Sequence, residues 1–334
     1  MTCLAGVCLH APTRDASLGG EGEDADGNSI GIDKESPPVV TCWSDPDRID
    51  EEPALVRISG EVEPFGTGND RGIPGMCVTI YDAEALVAHW RDDSRCPDVA
   101  DPQARARCFS TDPCECAAKL GPERTKCDAD VGPYLGYSLL TERNGRYAID
   151  GIPSNRPLLI KASGEEQLWR DTYVWSSGAR TDRLQDDEGQ SAFRVDPVVL
   201  SQTDWVVLPT LLNMAGKPEE TKGAVAGELL DCGAPGRDPE PIIGATFGLV
   251  ADAGFAAYHN GDPEADIGLD ANLTHTQSLG IFGALDVPAG PNRFVMGVEI
   301  AGSTRVAAMA DIYVPPGAAI VLLLNGRAQW REGP

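Results

Sequence analysis

The chain has little positive charge and no long apolar run. Its 27 Lys and Arg residues stand against 52 Asp and Glu residues, which gives a formal net charge of −25. Because proteins hold nucleic acids through basic surfaces, this balance argues against a nucleic-acid binder. The longest apolar runs, such as Ala318–Leu324, are far shorter than the roughly 20 residues with which a helix crosses a bilayer. We therefore predict neither a nucleic-acid partner nor a membrane span.

The sequence also lacks the short motifs that carry common catalytic chemistry. None of its four histidines has the spacing of a zinc protease, and there is no nucleophile elbow, phosphate loop or dinucleotide-binding fingerprint. Aromatic residues make up only 6% of the chain, and the tryptophans are scattered, so no flat platform for sugars is evident. We predict that the protein is not an enzyme. An accessory role beside a secreted hydrolase is the lesser alternative.

Glycine and proline, in contrast, are abundant. The 37 Gly and 26 Pro residues make 63 of 334 positions, which is more than an average globular chain carries. These residues favour tight turns and interrupt helices, so they indicate many short strands joined by turns. The apolar fraction of 42% is enough to build a core. The composition therefore predicts an all-β protein.

Ten cysteines are present, and five of them fall within Cys96–Cys127, a polar stretch with little to bury. Such stretches are often held together by disulfides, whereas zinc sites usually show paired Cys-x2–4-Cys units or nearby histidines. The spacings favour disulfides, with zinc or free thiols as the alternatives. Two of the cysteines lie close enough to pair locally near the start of the chain, two others are then left over, and the remaining six allow too many connectivities to assign. The disulfide candidates are Cys3, Cys8, Cys42, Cys77, Cys96, Cys108, Cys114, Cys116, Cys127 and Cys232, with Cys3–Cys8 as the local pair and Cys42–Cys232 as the leftover pair.

Disulfides imply an oxidising compartment. No signal peptide is visible, because Met1–Pro12 has neither a basic region nor an apolar core. Leu4–Cys8 is similar to a bacterial lipoprotein processing site, but it has one residue too many before the cysteine. We predict an extracellular or cell-surface protein, with a periplasmic or lipid-anchored location as the alternative.

Residues 1–53 read as an acidic, Gly- and Asp-rich tail. Within it, Asp24, Asp26, Asn28 and Glu35 place oxygen ligands at spacings that suit Ca²⁺. The glycine of an EF-hand loop is missing, however, and no amphipathic helix flanks the segment. Calcium is the one cofactor predicted, and a solvated acidic linker is the alternative.

One apolar segment interrupts this tail. Val39, Val40 and Thr41 lie within Pro37–Trp43, which reads as a single extended strand. Because the exposed edge of a sandwich can accept a strand from another chain, we predict this segment as an assembly strand.

The most informative pattern is an internal repeat. Val56–Val62 and Gly223–Leu229 both read as a strand that contains glycine, glutamate and an aliphatic residue in succession. The segments that follow correspond in order and spacing: Gly72–Ile80 with Pro241–Leu249, Thr141–Tyr147 with Thr276–Phe282, Leu158–Ile160 with Phe294–Met296, and Asp171–Val174 with Asp311–Val314. This agreement indicates two copies of one domain.

Each copy also carries the same turn signals. Gly145 and Gly280 follow polar stretches and stand two residues before an aromatic residue, which predicts a tight turn where glycine takes a positive φ. Pro153 and Pro288 come six residues after that aromatic and are expected to end the strand. About seven short strands with such turns make a two-sheet sandwich.

These residues resemble the carboxypeptidase regulatory-like family, a transthyretin-type or prealbumin-like β-sandwich. The resemblance rests on Gly60-Glu61-Val62, Ile73-Pro74-Gly75, Thr141 with Gly145 and Tyr147, and Ile152-Pro153, and in the second copy on Gly227, Ile243-Gly244-Ala245, Thr276 with Gly280 and Phe282, and Val287–Gly290. It implies two tandem Ig-like sandwiches, at 54–215 and 216–334, in a secreted or surface-anchored protein. The family offers no catalytic residue to carry over.

The first copy departs from this pattern by an insertion at about 82–135, which contains five of the ten cysteines. Asp112-Pro113 predicts a helix start and Gly121 a helix end, so we expect a disulfide-rich, partly helical lobe. The lobe is either a functional surface or a decoration. We predict a non-enzymatic structural or adhesive protein, such as a subunit of a surface assembly or filament, whose partners are other copies of itself or cell-surface proteins and glycans. The alternative is a glycan- or protein-binding module that uses the inserted lobe.

Overall fold

Short alternating apolar segments form the strands, and their turns fall where glycine and proline predict them. The computed structural model describes residues 2–4, 7–9, 54–65, 72–91, 112–138, 140–176, 179, 184–187, 190–212, 219, 221–231, 240–250, 255–262, 268–300 and 303–324. Its strands are β1 (Thr2–Leu4), β2 (Val7–Leu9), β3 (Leu55–Glu61), β4 (Glu63–Pro64), β5 (Cys77–Asp82), β6 (Tyr134–Ser138), β7 (Arg146–Pro153), β8 (Leu158–Ser163), β9 (Thr172–Ser176), β10 (Gln185–Asp187), β11 (Gln190–Arg194), β12 (Val198–Val199), β13 (Lys222–Leu229), β14 (Ala245–Leu249), β15 (Phe255–His259), β16 (Leu269–Asp270), β17 (Ile281–Pro288), β18 (Gly290–Ile300), β19 (Ser303–Val314) and β20 (Ala319–Leu324). Its helices are α1 (Ala83–Arg91), α2 (Pro113–Ala117), α3 (Gly121–Val131) and α4 (Gln202–Leu211).

Three sheets build the body of the molecule, and the fold class is mostly β, as predicted. The central sheet has nine strands in the order β16-β15-β17-β13-β20-β9-β8-β5-β6. The first outer sheet has the order β10-β11-β3-β7, and the second outer sheet has the order β14-β18-β19. The central sheet therefore runs through both halves of the chain, joined where β20 pairs in parallel with β9.

The two outer sheets lie on opposite faces of the central sheet. In the β9–β20 ladder, Tyr173 stands beside Ile320 and Val174 beside Val321, and neighbouring partners point to the same face. Ile320 belongs to the core under the second outer sheet, whereas Val174 and Val321 pack in the core under the first. The chain is thus a pair of sandwiches that share one sheet and lie on its two sides.

Corresponding strands pair in the same way in the two halves. β3 pairs with β7 as β13 pairs with β17, β5 with β8 as β14 with β18, and β8 with β9 as β18 with β19, all antiparallel. The first strand of each half also has one parallel neighbour, β11 for β3 and β20 for β13. The order of elements that the repeat predicts is therefore present as matching strand ladders.

A buried threonine holds the first loop of the first half. The N–H of Met76 donates to Thr141 Oγ1 at 2.9 Å, and the Thr141 hydroxyl donates to the carbonyl of Ile73 at 2.8 Å. The turn that follows closes when the N–H of Gly145 donates to the carbonyl of Glu142, with φ of 77° at the glycine. The predicted tight turn is confirmed.

Thr276 makes the same contacts in the second half. It accepts from the N–H of Ala245 at 2.9 Å and donates to the carbonyl of Ile242 at 2.7 Å. Gly280, with φ of 64°, closes its turn on the carbonyl of Gln277. Any other residue at either of these two positions would have to adopt the left-handed backbone conformation, which favours glycine.

The predicted tail contains two described strands, β1 and β2, which pair as a hairpin with Cys3 opposite Cys8. The boundaries at 53/54 and 215/216 stay predictions, since the central sheet passes across the second of them. Among the described residues no helix is long and apolar enough to cross a membrane.

Candidate functional site

The insertion begins directly after β5 and lies on the central sheet. Asp82 ends β5 and accepts from the N–H of Ala85 at 3.0 Å, which caps the first turn of α1, while Arg156 pairs with the same carboxylate at 2.8 Å. Near the end of α1, the buried ring of Trp90 lies 5.4 Å from Tyr173 and 5.1 Å from Tyr313, measured between ring centroids. Tyr173 belongs to the first half and Tyr313 to the second, so one side chain of the insertion contacts both.

The second helix of the insertion starts as predicted. Asp112 accepts from the N–H of Glu115 at 2.9 Å through Oδ1, and Pro113 is the first helical residue. The other carboxylate oxygen accepts from the Ser163 hydroxyl at 2.8 Å. The helix ends at Ala117, so the predicted end at Gly121 is wrong. Gly121 begins α3 instead, because the Pro that follows it suits a helix start.

Two disulfides between described residues fix the lobe. Cys77 on β5 is bonded to Cys114 on α2, and Cys116 on α2 is bonded to Cys127 on α3, with Cα separations of 6.1 Å and 5.4 Å. These four cysteines are therefore used in disulfides. The sulfurs of Cys77 and Cys114 lie within 4.8 Å of the Asp112 carboxylate, but they are bonded to each other and do not form a zinc site.

A buried ionic network lies under the lobe. Lys161, only 1% exposed, points from β8 to Asp171, with 3.0 Å between Nζ and Oδ2, and lies 5.8 Å from the centroid of the Tyr173 ring. Burial opposes the charge on this amine, but Asp171 holds the pKa of Lys161 above its usual value. Burial also raises the pKa of Tyr81 and of Tyr173, so both phenols stay neutral. An amine held protonated in this way is neither a nucleophile nor a base, and the network is an anchor.

An open polar cleft of about 440 Å³ lies on the other side of the first half. Its floor is the outward face of the first outer sheet, where Ser59 stands between Ala148 and Arg194. The Ser59 hydroxyl is buried and has no hydrogen-bond partner among the described residues. The cleft is lined by Arg57, Ser59, Gly60, Glu61, Ser138, Leu140, Glu142, Arg146, Tyr147, Ala148, Gln190 and Arg194.

Three arginines converge on this cleft in a strongly acidic chain. Arg57 makes a two-point contact with Asp150 at 2.7 and 2.8 Å, and the pKa of that carboxyl is lowered by its hydrogen bond to Arg57. The Nε of Arg194 donates to both carboxylate oxygens of Asp196, at 2.8 and 3.1 Å. Guanidinium groups held in place by carboxylates present fixed donors, so the cleft can bind a polar ligand through hydrogen bonds.

Several predicted site residues lie outside the described part of the chain. The calcium ligands Asp24, Asp26, Asn28 and Glu35, the assembly strand at Val39–Thr41, and Cys42, Cys96, Cys108 and Cys232 all stay predictions.

No family model matches the chain, and no curated protein is similar to it. Three solved structures align with it over most of its length at very low similarity. GBS52, the minor pilin of the gram-positive pathogen Streptococcus agalactiae, is 11% identical, with 84% of this chain and 98% of that one covered and a TM-score of 0.21. A streptococcal ancillary pilin is 12% identical over 82% of this chain and 69% of that one, and the Bacillus anthracis TIE protein is 10% identical over 81% and 34%, both with a TM-score of 0.21. A TM-score this low does not establish a common fold.

Sequence reasoning missed both polar features of the first half. Lys161 interrupts the apolar run Leu158–Ala162, and a lysine in such a run signals a buried partner. The cleft has a similar signal, because Arg57, Ser59 and Glu61 occupy every second position along β3, a spacing that places side chains on one face of a strand.

Proposed function

We propose that the chain is a non-enzymatic, extracellular structural or adhesive protein that consists of two copies of a prealbumin-like sandwich. The matching strand ladders and the matching contacts of Thr141 and Thr276 support the two copies. They occur at the positions where the two halves correspond in sequence, which is the agreement expected of a duplicated unit.

The observation that carries the structural role is the central sheet. β20 is hydrogen-bonded to β13 on one side and to β9 on the other, so it ties the second half to the first. Any displacement of one half against the other has to break this ladder and pull Trp90 from its contacts with Tyr173 and Tyr313. A body whose two units share a continuous sheet suits a protein that transmits force or spaces other groups.

Disulfides support the extracellular location. Bonds such as Cys77–Cys114 and Cys116–Cys127 persist in oxidising compartments and are rare in the cytosol. The charge of −25 also suits a solvated surface protein.

The test is the state of the native protein on intact source cells. We expect protease added to intact cells to remove it, non-reducing mass spectrometry to recover both disulfide-linked peptide pairs, and electron microscopy of the extracted material to show ordered assemblies. Recovery of Cys77 and Cys114 as free thiols from a protease-protected pool would overturn the proposal.

The cleft favours a second candidate function, binding of a polar glycan or protein ligand. Ser138, Leu140 and Glu142 line one wall and follow the insertion directly, so the lobe positions part of the cleft. The test is capture of surface glycans by the purified chain. We expect Arg146→Ala to remove it and Arg293→Ala, on the other half, to retain it; equal capture by both variants would contradict this function.

A further inference from the structure

The second outer sheet has an apolar outward face that is nevertheless buried. On β18, Phe294 and Met296 point into the core, so Val295 between them points outward. Val295 is fully buried, and it packs with Met309 and Val306 of β19 in a cluster separate from the core. We call these three residues the outer cluster. Something other than the sandwich core must cover it.

The described element nearest to this face is the N-terminal hairpin, and we infer that it covers the outer cluster. β2 lies close to both β14 and β18, although the hairpin forms a sheet of its own and is not hydrogen-bonded to them. In the second outer sheet β14 is the edge strand and β18 is its neighbour. Because the hairpin lies close to both strands, it stacks on the face of this sheet and does not extend its edge. Gly248 and Gly297 flank Val295 on that face, and the lack of side chains there lets another backbone approach closely.

The hairpin depends on this surface for its own structure. It consists of two three-residue strands, and an isolated two-stranded hairpin of that size is not stable in water. Cys3 faces Cys8 across the pair, so a bond between them would close the hairpin but would not supply a core. The hairpin is therefore ordered by docking.

The chain connection does not restrict the hairpin to its own molecule. Residues 10–53 separate β2 from β3, which belongs to the first half, while the hairpin lies on the second. A segment of that length spans at most about 150 Å, more than the distance to a neighbouring copy in contact. An identical hairpin from a second copy would meet an identical surface, which is the condition for exchange of an element between subunits.

We propose that the outward face of the second outer sheet is a docking surface for the N-terminal hairpin, and that it accepts the hairpin of a second copy. This inference rests on the proposed structural function and gives it a means of assembly. Within one molecule the hairpin is present at an effective concentration in the millimolar range, so the self-docked chain dominates in dilute solution. Copies held close together on a surface exchange hairpins and become linked.

The test uses the full chain and a synthetic peptide of residues 1–12. We expect light scattering to show oligomers that grow with protein concentration, and an excess of the peptide to return them to monomers, while a scrambled peptide with the same composition has no effect. A chain that stays monomeric at millimolar concentration, or oligomers that ignore the peptide, would overturn the proposal.

Matched variants separate docking from folding. Val295→Asp places a charge in the outer cluster and is expected to abolish oligomers and peptide competition, whereas Arg293→Gln, on the same face but in an exposed ion pair, retains both. If Val295→Asp fails to fold, the chain without residues 1–9 replaces it; we expect this chain to bind labelled peptide one to one, and no binding would overturn the proposal. Neither result bears on whether the protein is at the cell surface, so the two proposals fail separately.

Discussion

Thr141 in the first half and Thr276 in the second hold equivalent loops with equivalent hydrogen bonds, yet the strands that follow carry different chemistry. In the first half, β8 brings buried Lys161 under the insertion, where it pairs with partly buried Asp171. In the second half, β18 and β19 carry Arg293 and Asp311, whose pair is exposed at its surface. The same framework therefore supports an internal ionic anchor in one half and a surface ion pair in the other.

The difference follows from what covers each part of the central sheet. The disulfide-fixed insertion covers the first half, and Asp112 joins it to the sheet by accepting from the N–H of Glu115 at the start of α2 and from the Ser163 hydroxyl on β8. The apolar helix α4 covers the second half through Trp205 and Leu208. A polar cover needs polar partners on the sheet beneath it, whereas an apolar cover needs only small or aliphatic ones. The two halves thus share a backbone pattern, and the side chains on each part of the central sheet match the element that covers it.

The largest effect is expected from removing the amine of the anchor. Lys161→Met leaves the partly buried Asp171 without its cation and should lower the free energy of unfolding by about 3–5 kcal/mol. Arg293→Met, which breaks the exposed pair with Asp311, is the matched control and should cost at most about 1 kcal/mol. Urea denaturation measures both. Equal losses of stability in the two variants would contradict the distinction between a buried anchor and a surface ion pair.

The disulfides should give the next largest effect, confined to the first half. Replacing Cys116 and Cys127 by serine is expected to lower stability by about 2–4 kcal/mol and to loosen the lobe. Hydrogen exchange followed by mass spectrometry locates the change. We expect faster exchange in α2 and α3 and an unchanged rate in β18 and β19. Equally faster exchange in β18 and β19 would mean that the insertion also stabilises the second half directly.

Valine substitutions at the two threonines test the similarity of the halves. Thr141→Val and Thr276→Val each leave a buried backbone N–H, that of Met76 or Ala245, without its acceptor. Each should therefore cost about 1–3 kcal/mol, and the two losses should agree to within about 1 kcal/mol. Urea denaturation of the two variants measures this. A loss in one half alone would show that only one of the loops depends on its threonine.

The turns and strand ends within each half were predictable from the sequence because they depend on local chemistry. Gly145 and Gly280 mark their turns through backbone freedom, and Pro153 and Pro288 end their strands through the missing N–H. The pairing that joins the halves was not predictable, since an apolar run such as Ala318–Leu324 indicates a buried strand but not the strands with which it pairs.

The candidate sites were less accessible to sequence reasoning. All ten cysteines were recognised as disulfide candidates, but the choice of Cys114 for Cys77 depends on how α2 lies on the sheet. Gly121 was assigned to the wrong end of a helix because a positive φ suits both a helix end and the entry to a following Pro. Asp171, the partner of Lys161, lies beyond the turn between β8 and β9. The lone lysine in an apolar run therefore indicated that a buried partner exists, but it did not identify the residue.

The smallest predicted effect is a pH dependence of stability that arises from a histidine in the second half. His259 ends β15 in the second half, and its Nδ1 accepts from the N–H of Gly261 at 3.0 Å. Burial lowers the pKa of His259, so the folded state binds a proton less readily than the unfolded state. Its contribution to stability is therefore complete above the ordinary histidine pKa and is lost as pH falls through the lowered folded value.

We expect the urea midpoint to decline slightly as pH falls below about 6.5, the ordinary histidine pKa, and His259→Gln to remove part of that decline. If the variant and the parent decline in parallel, His259 does not carry the acid sensitivity, and carboxylates such as those around Lys161 become its source.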